Sequence, residues 1–150
     1  MEKHIKIGAL YIATLKAIAL ISQQQHWLAK GNAFYSSHLL FERIYNSALK
    51  DLDLAAEKFV GLFGDKVLNY DLQTELLHKV LVQFSTLDGA NGATMVLAIE
   101  KQFLKFSQEA ERALAEEDEV MTQGLFDMMG SIASSREESV YLLKQTLKNE

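Results

Sequence analysis

The chain has 150 residues, a net charge of −5, and neither proline nor cysteine. That length suits one domain, residues 1–150, with a sizeable core. Absence of cysteine excludes a disulfide framework and thiolate metal ligands, and it fits a reducing compartment. The acidic balance argues against general affinity for nucleic acid, whose phosphates need clustered Lys and Arg.

With no proline to interrupt the backbone ladder, long helices are favoured throughout. The first is expected from about His4 to Lys30. Ile5, Ile7, Leu10, Ile12, Leu15, Ile18, Leu20 and Ile21 cover more than one of its sides, which predicts burial on several faces and, in a small domain, burial by other subunits. The apolar stretch Ile7 to Ile21 is short for a membrane span, is interrupted by Lys16, and runs into Gln23, Gln24 and Gln25 without a small-residue cleavage pattern. It reads as a buried helix of a cytoplasmic protein with no membrane partner. Gly31 and Asn32 signal a turn. Ser36 and Ser37 are candidate N-caps of a second helix running to about Phe63 and stopped by Gly64. The segment from Gly64 to Asn91 is too long for a plain loop, and Leu72, Leu76, Leu77, Val80 and Leu81 place a short helix at about Asp71 to Phe84. Asp88-Gly89 and Asn91-Gly92 are breakers. A third long helix follows from about Ala93 to Ala115, the acidic run Glu116 to Glu119 marks a turn, and a fourth spans about Val120 to Lys148, weakened locally by Gly124 and Gly130. The fold class is all-α: a four-helix bundle with a short extra helix in its middle connection.

Five residues then stand out: His26, His38, Glu42, Asp53 and Glu57. Two imidazoles and three carboxylates suit a transition metal that takes nitrogen and oxygen ligands. His38 and Glu42 are four apart and share a helix face, as do Asp53 and Glu57. Eleven residues separate Glu42 from Asp53, so both pairs lie on roughly one face but about 16 Å apart along the axis. No single ion spans that gap. An antiparallel copy of the same helix, related by a two-fold axis near the small residues Ser47 and Ala48, would bring His38 and Glu42 of one chain to Asp53 and Glu57 of the other, making two identical sites. His26 and His38 are equidistant from Asn32, so a helical hairpin sets them side by side.

The pattern His26-Trp27-x-x-Lys30-Gly31, then Phe34, His38, Phe41-Glu42 and Asp53-x-x-Ala56-Glu57 resembles the Dps family, the DNA-binding proteins from starved cells or mini-ferritins. The helix pattern extends the likeness over most of the chain. The resemblance implies a hollow dodecamer of ferritin-like bundles that oxidises ferrous iron, preferably with hydrogen peroxide rather than oxygen, and stores the ferric mineral. It implies ligands His26, His38 and Glu42 from one subunit and Asp53 and Glu57 from its two-fold mate. Trp27 would be the aromatic that relays an electron or quenches a radical, and Lys30 a lysine near the site. The chain departs from the family in lacking a lysine-rich tail, so DNA binding is not expected. Gly64 replaces a glycine pair, Gly124 an aspartate that helps line an iron-entry pore, and Tyr141 a tryptophan. Glu116 to Glu119 would then supply the negative potential for entry.

Each feature also has a plainer explanation. A lone helical His is more often structural, but five ligand types in register with Trp27 and Gly31 are hard to reach by accident. Zinc is a competitor for such a site. Trp27 also suits interface packing. Glu75-x-x-His78 matches the ligand motif of larger di-iron bundles, but there is one copy on a short segment, so a surface role is expected. His4 is expected in solvent, and Met95, Met121, Met128 and Met129 as core or interface filler. Three rival functions remain: a DNA-compacting protein with secondary iron chemistry, a structural cage with a vestigial or zinc-filled site, and an enzyme with its di-iron site inside each bundle. The last needs carboxylates such as Glu100 or Asp127 to face His26.

Overall fold

The computed structural model describes residues 1–85 and 91–148. Among them are five helices and no strand: α1 (Lys3–Leu28), α2 (Phe34–Phe63), α3 (Tyr70–Ser85), α4 (Gly92–Glu116) and α5 (Gln123–Leu147), with a 3-10 turn at Asp65–Leu68 before α3. The four long helices form the bundle, and α3 is the short helix of the middle connection, lying against α1. The expected architecture is therefore the observed one. The breaker at Asp88-Gly89 falls outside the described residues.

Helix ends follow local chemistry, and two differ from expectation. Ser36 and Ser37 do not cap α2. The helix begins at Phe34 after Ala33, with no side-chain cap, and the Ser36 hydroxyl instead donates to the Ala33 carbonyl at 3.2 Å. Gly31, at φ 86°, makes the tight turn that lets α2 start so early. The start of α5 is later than Val120, because the Thr122 hydroxyl accepts from the Leu125 N–H at 3.0 Å and fixes the N-cap there. Gly64, at φ 90°, ends α2 as expected, its N–H bonded to the Val60 carbonyl. Asn91 caps α4 through the Thr94 N–H.

α1 is the core of the bundle. Tyr11, Ile12, Leu15 and Ile18 are fully buried, and α1 packs on α2, α3 and α4 within the same chain. Its all-round apolarity is thus largely met internally, a correction to the expectation that other subunits supply the burial. The cause is α3. Buried Gln73 donates from Nε2 to the carbonyls of Ala9 and Val67, and its Oε1 accepts from Lys16 Nζ, pinning α3 across α1. By length and composition α1 could cross a membrane, yet 72% of its apolar window is buried inside the bundle. Met128 and Met129 are buried and Met95 and Met121 pack against the core, as fillers.

Candidate metal centre

The two histidines meet at the α1–α2 turn. Their rings stack with centroids 3.7 Å apart and 17° between planes. Each Nδ1 lies 2.8 Å from the backbone carbonyl of the other residue. A carbonyl oxygen can only accept, so Nδ1 carries the hydrogen in both rings and each Nε2 keeps its lone pair. Such a backbone clasp orients a metal-binding imidazole and fixes its tautomer. Both rings are half-buried. Phe34 stacks on His38 at 5.0 Å, and Tyr45 stands edge-on to His26 at 5.4 Å. Residue type alone does not mark Tyr45, but it lies seven residues from His38, on the same stripe of α2.

Helix geometry orders the remaining ligand candidates. At roughly 100° per residue, His38, Glu42, Asp53 and Glu57 fall within one quadrant or so of α2. Glu42 is half-buried, and Asp53 and Glu57 are exposed. The opposite side carries Phe41, Ile44, Ala48, Asp51, Ala55 and Phe59 into the core. Among the described residues, no three His, Asp or Glu side chains of one chain gather closely enough to hold a metal. The structure therefore brings His26 and His38 together and leaves Glu42, Asp53 and Glu57 spread along one outward stripe.

The placement of Ser47 and Ala48 needs correction. They lie midway between the two halves of the stripe, but Ala48 is fully buried and the Ser47 hydroxyl contacts Arg136. Neither faces outward. The residues presented at that level are Tyr45, half-buried, and Leu49, 46% exposed. They border a shallow apolar groove of about 160 Å³ lined also by Lys16, Ala19, Leu20 and Leu52. Trp27 is exposed, as are Leu28 and Tyr35 at the hairpin end.

Inside the bundle lies a polar cluster whose members are far apart in the sequence. Arg136 of α5 is fully buried. Its Nε is 3.6 Å from an oxygen of Asp51 on α2 and 3.6 Å from one of Glu100 on α4. Its Nη2 donates to the hydroxyls of Ser47 and Ser139. Burial pushes the Glu100 carboxyl up to about 7, against the opposing pull of Arg136 and Ser139. Burial also raises Asp51 and the Tyr11 phenol. Glu100 faces this cluster rather than His26, and Asp127 is exposed, so neither supplies a carboxylate to a di-iron site around His26 inside one bundle.

Two smaller expectations resolve here. His4 is not solvated. Its ring pairs with Glu2 and Glu117, each at 3.1 Å, and sits edge-on to Phe63. Glu117 of the acidic run thus ties the α4–α5 connection to the start of α1. Glu75 pairs with Lys79 on the exposed side of α3, and His78 is exposed, a surface role as expected.

No family model matches the chain. Two curated proteins are similar over most of it. A "DNA protection during starvation protein" of Brevibacillus brevis is 25% identical over 123 residues, covering 82% of this chain and 80% of that protein. "General stress protein 20U" of Bacillus subtilis (strain 168) is 26% identical over 125 residues, covering 81% of each. Among solved structures, that of Dps from Thermosynechococcus elongatus superposes with a TM-score of 0.83 at 18% identity, covering 99% of this chain and 92% of that one.

Proposed function

From the premise that the chain belongs to the Dps family of ferritin-like bundles, we propose that it is an iron-storing ferroxidase. It oxidises ferrous iron, preferentially with hydrogen peroxide, at sites shared between two-fold-related subunits. It retains the ferric product inside a hollow, dodecameric shell in the cytoplasm and so limits oxidative damage. The observation that carries this reading is the His26–His38 clasp, which holds two imidazoles with Nε2 free beside a stripe of carboxylates that one chain cannot gather.

In this reading iron is the substrate. His26 and His38 supply neutral nitrogen donors, and Glu42 adds a carboxylate one turn along α2. Asp53 and Glu57 of the two-fold mate complete the set. The exposed Leu49 and half-buried Tyr45 lie between the two halves of the stripe and form the contact about the axis. Carboxylates favour the ferric over the ferrous charge, and imidazoles accept either. Two ferrous ions reduce one peroxide to two waters, taking up two protons, and become two ferric ions. Taking both electrons together releases no hydroxyl radical. Zinc has the same ligand preferences and would compete.

Anaerobic ferrous titration of metal-free protein, followed by matched pulses of peroxide and oxygen, tests the assignment. Saturable binding at a small fixed ratio per two-fold pair, faster oxidation by peroxide and a soluble ferric product are expected. Unchanged oxidation kinetics in a D53A/E57A variant would overturn it. Zinc-tight binding with no oxidation would instead favour a structural cage.

A further inference from the structure

Every long helix sends a polar side chain into the middle of the bundle. Tyr11 comes from α1, Asp51 from α2, Glu100 from α4 and Arg136 from α5, and none of the four is more than 8% exposed. Such groups are normally hydrogen-bonded, because an unpaired buried polar atom loses its water without a replacement. Here both oxygens of Glu100, one of Asp51, the Tyr11 hydroxyl, and Nε and Nη1 of Arg136 lack a hydrogen bond of good geometry. Serine hydroxyls stand beside three of these groups, Ser139 at Glu100, Ser135 at Asp51 and Ser107 at Tyr11, and each favours the charged form, but none reaches good hydrogen-bond geometry. The centre of the cluster is a single cation, the guanidinium, with two carboxylates from different helices each 3.6 Å from the same nitrogen. Facing helices that aim carboxylates at a common point are how bundle cores hold metals.

We propose that the bundle core is a carboxylate cation site closed by its own arginine: Arg136 occupies the position a divalent metal would take between Asp51 and Glu100 and so keeps the interior metal-free. This role is independent of the inter-subunit centre. It makes Arg136 a residue that determines where metal binds, by exclusion rather than by ligation. The class of ion is set by the donors. Asp51, Glu100 and the hydroxyls of Ser47 and Ser139 that contact the guanidinium are all oxygen donors, which suits hard or borderline divalent ions. An ion in place of Nε would need each carboxylate to close from 3.6 Å to about 2.1 Å. Removing the guanidinium also leaves two buried carboxylates without a counter-charge, a strongly unfavourable state that favours uptake of another cation.

The test is Co(II) binding to R136Q in the full assembly, read by the visible d–d spectrum and by bound metal per chain, against wild type and R136Q/E100Q. One additional Co(II) per chain is expected in R136Q, with a higher Tm in Co(II) than in chelator. R136Q/E100Q should bind no more Co(II) than wild type, and in both the rise in Tm with Co(II) should be the smaller one owed to the inter-subunit centre. Folded R136Q with wild-type stoichiometry would overturn the proposal and make the cluster a hydrated polar core. So would an extra ion that persists without Glu100. If R136Q is recovered unfolded, refolding with Co(II) decides. Helical signal restored by Co(II) in R136Q, but unaffected by Co(II) in R136Q/E100Q, supports the site. Failure of Co(II) to restore it overturns the site.

Discussion

Glu100 makes folding stability depend on pH in a direction opposite to that of an ordinary paired carboxylate. Its side chain is fully buried, and its carboxyl titrates near 7 in the folded chain against an ordinary 4.5. A raised value means that the folded state holds the proton more tightly than the unfolded one. Below 4.5 both states are protonated and the folded state carries no penalty from this group. As pH rises from 4.5 the unfolded chain loses the proton first, and stability falls until about 7, where the folded chain also ionises. The gap corresponds to roughly 3 kcal/mol, because each pH unit of difference is worth about 1.4 kcal/mol. Other carboxylates titrate in the same range, so the useful quantity is the difference between wild type and E100Q, which keeps the shape and loses the charge. Urea denaturation at pH 4.5, 5.5, 6.5 and 7.5 should show wild type losing about 2–3 kcal/mol relative to E100Q across the series. Parallel curves for the two proteins would refute the assignment of a protonated Glu100 to the acid-side fold.

The remaining predictions concern packing, pairing and partners. Phe59 is fully buried, edge-on to Tyr11 at 5.2 Å and pressed against the Cα side of Gly8, so F59A should cost about 3–5 kcal/mol in urea denaturation, and a loss under about 1 kcal/mol would contradict the described core. L49D places a charge at the middle of the outward stripe in both copies of a two-fold pair, and light scattering should show smaller species at concentrations where wild type is assembled. Unchanged assembly would move the two-fold contact elsewhere. At low salt, double-stranded DNA should show little retardation by a chain of charge −5, and a strong salt-sensitive shift would favour the DNA-compacting function.

The legible parts of the fold were those set by local chemistry. Uninterrupted helical periodicity gave the four long helices, and Gly64 and Asn91 fixed two of their ends. The 3-10 turn at Asp65–Leu68 has too short a pattern to announce itself, and Thr122 outcompeted the apolar run as the start of α5. The orientation of α2 was legible in part. The spacing of His38, Glu42, Asp53 and Glu57 defines a face, but the small size of Ser47 and Ala48 suggests a close contact there, whereas their angular position turns them inward. The buried Arg136 cluster did leave a trace. Leu125, Met129, Ile132, Arg136, Ser139 and Leu143 recur at intervals of three or four along α5, so a charge stands within an apolar stripe. Asp51 and Glu100 interrupt the stripes of α2 and α4 in the same way. That three such breaks coincide in space is a tertiary fact. Sequence periodicity reports faces, not the heights at which they meet.

The shared site is tested most directly by complementation between two inactive chains. One carries H26A/H38A and the other D53A/E57A. Each alone lacks half of every inter-subunit site. Unfolded together and refolded as mixed assemblies, they place intact histidines beside intact carboxylates in one of the two sites of each mixed pair. Peroxide-driven ferrous oxidation absent from either parent and restored in the mixture, toward a quarter of the wild-type rate at equal proportions, is the predicted result. A mixture as inactive as its parents, or a parent as active as wild type, would contradict a centre built from His26, His38 and Glu42 of one subunit and Asp53 and Glu57 of its mate.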